Sequence, residues 1–172
     1  MNLPCLPFPR IFLKPCQIYV SLKPAIITTV LGSCVSIVMF HQASKVAAIS
    51  HSLLPHGPCL DRCVEGCQDG FKFVDCSIKA MYRFFGDEGI NIKEIRVKVF
   101  GGGDVTISEE EVEQLGEHSV GKQNVEAAFE VLESFQIYPI IKDIRGTTGR
   151  KIIFFTHNGD VYLKRIKKEL LL

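Results

Sequence analysis

Short apolar runs of strand length dominate the chain, and they are separated by glycine, proline and polar clusters. Val35-Ser36-Ile37-Val38-Met39-Phe40 is apolar and rich in β-branched residues, which predicts a strand buried on both faces. His41 to Lys45 predicts a turn, and Val46 to Leu54 predicts the returning strand, halted at Pro55 because proline cannot continue a ladder. Gln17 to Leu22 alternates polar and apolar positions and predicts a half-buried strand that breaks at Lys23-Pro24. Ala25 to Leu31 leads into a glycine turn. Ile95 to Phe100, Tyr138 to Ile144, Arg150 to Thr156 and Val161 to Ile166 predict further strands, with Asn158-Gly159 marking a hairpin between the last two. A helical period appears at Asp75 to Phe85, where Ile78, Met81, Tyr82 and Phe85 share one face, with Asp75 as its cap and Gly86 at its end. It appears again at Asn124 to Phe135, with Val125, Ala128, Phe129 and Leu132 as the buried stripe and Asn124 as N-cap. Ser108-Glu109-Glu110-Glu111 is a capping box that opens a short acidic helix.

Mostly antiparallel strands with two helices that each need a sheet to cover predict a layered α+β or mixed α/β domain. The 172 residues fit one domain: an irregular arm over 1–16, carrying Pro4, Pro7, Pro9 and Pro15, then a domain over 17–172. A formal charge of +1 and the lack of a basic stripe give no reason to expect nucleic acid. The longest apolar runs are strand length, so membrane insertion is not expected. Seven cysteines, an odd number without the apolar core of a secretion signal, point to a reducing cytoplasm rather than a disulfide framework.

The chemistry concentrates at the predicted hairpin. If Phe40 lies across from Lys45, Cys34 falls directly across from His51, with Cβ atoms roughly 4.5–5.5 Å apart. A slip of one residue would send the two groups to opposite faces. A cysteine attacks as the thiolate, and an adjacent histidine activates it. Gly32 and Ser33 suit a tight turn that exposes the sulfur and aims backbone N–H groups at an oxyanion. A third group must orient the imidazole. Thr28 is the candidate, and Thr29 and Ser50 compete with it on chemistry alone. The bland alternative is a small buried cysteine beside a satisfied core histidine.

The other motifs are less demanding. Gly101-Gly102-Gly103 follows a strand and permits close backbone approach, but neither a phosphate loop nor a dinucleotide fingerprint accompanies it. Gly101 and Gly102 are therefore read as part of a substrate cleft approached by another chain. Arg145 and Arg150 flank glycines, where polar residues at a tight turn outweigh anion recognition. His118 receives no role. Cys59, Cys63 and Cys67, with Cys76 or His56 beyond them, have a spacing open to a metal or redox site or to a loop that merely carries thiols.

Thr28-Thr29-Val30-Leu31-Gly32-Ser33-Cys34-Val35, then Ala48-Ile49-Ser50-His51-Ser52-Leu53-Leu54-Pro55, resembles the CheD family of chemoreceptor glutamine deamidases. Lys98 to Gly103, Val120 to Asn124 and Asp143 to Lys151 resemble further family segments in the same order, although Lys122 and Gln123 stand where the family often carries charge. The resemblance runs from about Gln17 to Tyr162. It implies a three-layer α/β sandwich and places the family's catalytic Cys, His and Thr on Cys34, His51 and Thr28. It implies deamidation of glutamines on chemoreceptor cytoplasmic helices, no cofactor and no metal, a CheC-type phosphatase as partner, and methylesterase activity as a side reaction. The competing expectations are a non-catalytic docking module that binds and regulates such a phosphatase, a metal-dependent redox protein using the clustered cysteines, and proteolysis.

Overall fold

A computed structural model describes residues 7–58, 69–105 and 118–166. The clustered Cys59, Cys63 and Cys67, the predicted acidic helix and the tail from Lys167 lie outside the described residues. The strands are β1 (Arg10–Phe12), β2 (Gln17–Ser21), β3 (Ile26–Leu31), β4 (Val35–His41), β5 (Ala47–His51), β6 (Ile95–Gly101), β7 (Ile141–Ile144), β8 (Gly149–Phe155) and β9 (Val161–Ile166). The helices are α1 (Val74–Asp87) and α2 (Val120–Ser134).

Two sheets and a helical layer stack in the order sheet, sheet, helices. One sheet runs β1-β3-β8-β9 and the other β2-β5-β4-β6-β7. Pairing is antiparallel except for β1 with β3 and β6 with β7. β4 is buried on both faces, as its composition predicts. Its Val38 and Phe40 meet Ile27, Leu31, Ile152 and Phe154 between the sheets, while Val35, Ile37 and Met39 meet Ile78, Met81, Phe85, Ala128 and Leu132 under the helices. One strand thus supplies both cores, so the fold is the layered α+β domain that the pattern predicts.

Three local expectations change. The arm over 1–16 is not wholly irregular: Arg10–Phe12, between Pro9 and Pro15, pairs with β3 as a parallel edge strand. Asp75 does not cap α1, which starts at Val74; its buried carboxylate instead accepts from the N–H groups of Gly57 (3.0 Å) and Cys76 (2.7 Å). Asn124 does not cap α2. Ser119 does, with its hydroxyl accepting from Lys122 N–H at 3.1 Å, and Asn124 lies inside the helix, fully buried.

The arginines of the β7–β8 turn are structural. Arg150 is fully buried, donates to Asp143 at 2.6 Å and also donates to the carbonyls of Thr148 and Arg145. Arg145 reaches Asp104 (3.3 Å) and the Ser119 hydroxyl (3.0 Å), which ties the glycine loop after β6 to the start of α2.

Candidate active site

The β3–β4 turn, Gly32-Ser33-Cys34, is half-buried at one end of the sheet pair. Its three carbonyls are all occupied behind it. Gly32 O accepts from Gly103 N–H at 2.8 Å, Ser33 O from Asn124 Nδ2 at 3.0 Å and Cys34 O from Gly102 N–H at 2.8 Å. The glycine loop is therefore the seat of the Cys34 turn. Gly101 and Gly102, expected to line a cleft open to another chain, are buried; this chain's own Cys34 turn approaches Gly101, and Gly121 and Val125 of α2 approach Gly102. Gly101 has φ +107°, and a Cβ there would stand 2.1 Å from Cys34 O, so only glycine fits.

The hairpin register departs from the expectation by two residues. Val38 pairs with Ile49 and Phe40 with Ala47, and beyond them Val35 bridges to Ser52. The turn closes through His41 N–H to Val46 O (2.9 Å) and so contains Gln42 to Lys45, as many residues as a Phe40–Lys45 pairing would leave but set one position further along the chain. Extending this register sets Ser36, not Cys34, directly across from His51. A two-residue shift preserves the face. Cys34 packs with the inter-sheet cluster, and His51 has the parity of Ala47 and Ile49 in that cluster, so thiol and imidazole occupy one face as diagonal neighbours. Diagonal Cα separations are about 7–8 Å, within reach of an imidazole.

His51 is only 3% exposed. Its Nδ1 lies 2.7 Å from Oγ1 of Thr29, across the gap between the sheets. Thr29 donates its hydroxyl proton to Leu13 O at 2.8 Å, a carbonyl that can only accept. The hydroxyl must therefore accept from Nδ1–H, which leaves the lone pair on Nε2. That Nε2 is buried without a hydrogen-bond partner in the protein, and so is the Ser36 hydroxyl across from it. Burial pushes the imidazole down to about pKa 4, with the Leu13 carbonyl opposing, so His51 is neutral at neutral pH. Burial pushes the Cys34 thiol above its ordinary value; the Cys34 backbone N–H opposes this, neighbouring Cys16 adds to it, and the Gly32 backbone opposes it. At neutral pH the two groups are thiol and neutral imidazole rather than an ion pair.

The hydroxyl that meets the His51 imidazole is thus that of Thr29, where the expectation named Thr28. Strand alternation is the reason. Ile27, Thr29 and Leu31 of β3 face the second sheet and are buried, while Thr28 and Val30 turn to the other face and are half-buried. Ser50 is excluded because it precedes His51 on β5 and so faces the opposite side of the sheet, where its hydroxyl accepts from Ile37 N–H at 3.1 Å. Asn124, read from the sequence as a cap, belongs at the site instead. Its Nδ2 also donates to Leu53 O at 2.9 Å, so one amide holds the residue before Cys34 and the strand end beyond His51. The sequence signal was a polar residue at i+3 from a glycine, which alone cannot distinguish a cap from a buried clamp.

Elsewhere, His56 lies 3.9 Å from both Asp75 and Glu130, in a surface cavity of about 480 Å³ also lined by Lys79 and Ser134. Among the described residues no three ligating side chains converge on a metal position. None of the described helices is long and apolar enough to cross a membrane.

Fold and site together define a class: a layered α+β domain that carries a cysteine, a neutral histidine and a threonine on facing sheet surfaces. A family model described as "CheD chemotactic sensory transduction" matches residues 54–165. A Geobacter sulfurreducens protein named "Probable chemoreceptor glutamine deamidase CheD 2" is 40% identical over 93% of this chain and 92% of its own length. Similarly named proteins of Maridesulfovibrio salexigens (34% identity, 94% of each chain) and Rhodospirillum rubrum (32%, 94% of this chain and 85% of that one) also match. The chain belongs to the CheD family. A partial structural likeness to the Bacillus licheniformis hypothetical protein YfiH has a TM-score of 0.46 at 11% identity, covering 73% of this chain and 49% of that one.

Proposed function

We propose that this protein is a cysteine-dependent amidohydrolase that converts chemoreceptor glutamine side chains to glutamate. The observation that carries this reading is the buried chain Leu13 O, Thr29 hydroxyl, His51 Nδ1–H, which leaves the base lone pair on Nε2 on the same sheet face as Cys34. Cys34 Sγ attacks the carboxamide carbon while His51 Nε2 takes the thiol proton. The carbonyl oxygen becomes an oxyanion held by backbone N–H groups of the Gly32–Cys34 turn. His51 returns the proton to the amide nitrogen, the C–N bond breaks and ammonia leaves a thioester. His51 then takes a proton from water, the hydroxide adds to the thioester carbon, and the thiol is regenerated as glutamate departs. The sum is one amide and one water to one carboxylate and one ammonium.

Thr29 keeps the imidazole in the Nδ1–H form throughout. The substrate class follows from the names of the relatives, given as probable chemoreceptor glutamine deamidases. A CheC-type phosphatase is proposed as a partner at the same face, on the family resemblance alone. The test is mass spectrometry of a receptor cytoplasmic fragment incubated with the protein. Amide-to-acid conversion at individual glutamines without chain scission, abolished by Cys34→Ala, is the expected result. No conversion by either protein would leave the docking-module reading in its place, and equal conversion by the Cys34→Ala variant would remove Cys34 as the nucleophile.

A further inference from the structure

Because a trans peptide sets the C=O of one residue opposite the N–H of the next, holding the Ser33 carbonyl also aims the Cys34 N–H. Asn124 holds that carbonyl, at 3.0 Å, from a fully buried position on α2. We infer that Asn124 is a positioning residue for deamidation: its amide locks the Ser33–Cys34 peptide so that the Cys34 N–H points to the place where the oxyanion forms. This rests on the proposed role of Cys34 as nucleophile.

Three features separate such a clamp from ordinary helix packing. The amide spends both Nδ2 protons on the active end of the hairpin, one on Ser33 O and one on Leu53 O. These contacts fall where the regular β4–β5 pairing has given way to the lone Val35–Ser52 bridge, so the hairpin's own ladder does little to hold Ser33. The helix can also come this close only because Gly121 faces Gly102, where a Cβ on Gly121 would stand 2.7 Å from Gly102 O. The Cys34 N–H already acts on its own sulfur, lowering the thiol pKa against burial. A peptide that is free to turn would weaken both that contact and the oxyanion contact.

The experiment compares wild type, Asn124→Ala, Asn124→Asp, Leu132→Ala and Cys34→Ala on one receptor fragment, at a temperature where circular dichroism shows each folded. Leu132, fully buried on the same helix two turns further on, controls for loss of packing. The expected result is a fall in kcat on the order of 10²-fold for Asn124→Ala, with KM within about 3-fold and Leu132→Ala near wild type. The Cys34 alkylation profile, read by peptide mass, is expected to move to higher pH in Asn124→Ala and to stay in place in Leu132→Ala. Asn124→Asp keeps the volume but loses the donor, and it should reproduce the kcat loss if the alanine variant does not fold. Asn124 variants with wild-type kcat, an unmoved alkylation profile, or an equal loss in Leu132→Ala would overturn the assignment. Activity surviving in Cys34→Ala would overturn the nucleophile itself, a separate and distinguishable failure.

Discussion

His51 should make the protein acid-sensitive in a window that the structure specifies. The imidazole titrates at about 4 when folded, against 6.5 for a free histidine. In the unfolded chain it takes up a proton as the pH falls through 6.5, while the native state takes one up only near 4. Stability linked to His51 is therefore fully present above pH 6.5 and is lost as the pH falls toward 4. At about 1.4 kcal/mol per unit, the complete loss is about 3 kcal/mol, of which about 2 kcal/mol falls between pH 7 and pH 5. The perturbation is His51→Gln, which removes the titration while leaving the other ionisable groups in common. Urea unfolding of both proteins at the two pH values gives the measurement. The wild-type advantage over the variant should shrink by about 2 kcal/mol at the lower pH. A difference constant to within about 0.5 kcal/mol would show that the imidazole titrates near its ordinary value and that its burial between the sheets costs the charged form little. A proton titration of the His51 ring by NMR checks the same number without a variant. For the proposed mechanism the consequence is a neutral Nε2 throughout the neutral range.

Other outcomes follow from the same geometry. Thr29→Val should lower kcat for ammonia release from a receptor fragment on the order of 10-fold or more, while Thr28→Val should stay within about 3-fold; the reverse order would return the orienting role to Thr28. Gly101→Ala should destabilise by about 2 kcal/mol or more in urea unfolding, because its Cβ would collide with Cys34 O at a positive φ. Cys16→Ser should move the Cys34 alkylation profile to lower pH, since Cys16 raises the thiol pKa; an unmoved profile would show that the two sulfurs do not interact.

Period and composition were enough for the elements, because a two-residue alternation and a 3.6-residue stripe state which face must leave water. They placed β4 as doubly buried, β6 and β9 within a residue of their bounds, and the stripe of α1 on Ile78, Met81 and Phe85. The motif around Gly32-Ser33-Cys34 and His51 singled out the two residues as a candidate pair, and the two side chains do share a face. The choice between Thr28 and Thr29 was not legible, because adjacent positions on a strand differ only in the face they present. Which face meets His51 depends on how one sheet stacks on the other. The hairpin register escaped as well, since it depends on where along the chain the turn is placed, and a two-residue error leaves the apolar pattern unchanged. Asn124 escaped for the same kind of reason: whether a polar residue early in a helix caps it or reaches across the core depends on what lies opposite. Local chemistry along the chain therefore determined which residue types are present and which faces are buried. The contacts from Thr29 to His51 and from Asn124 to Ser33, across 22 and 91 positions, came only from the packing of layers, because no local interaction carries information over such separations.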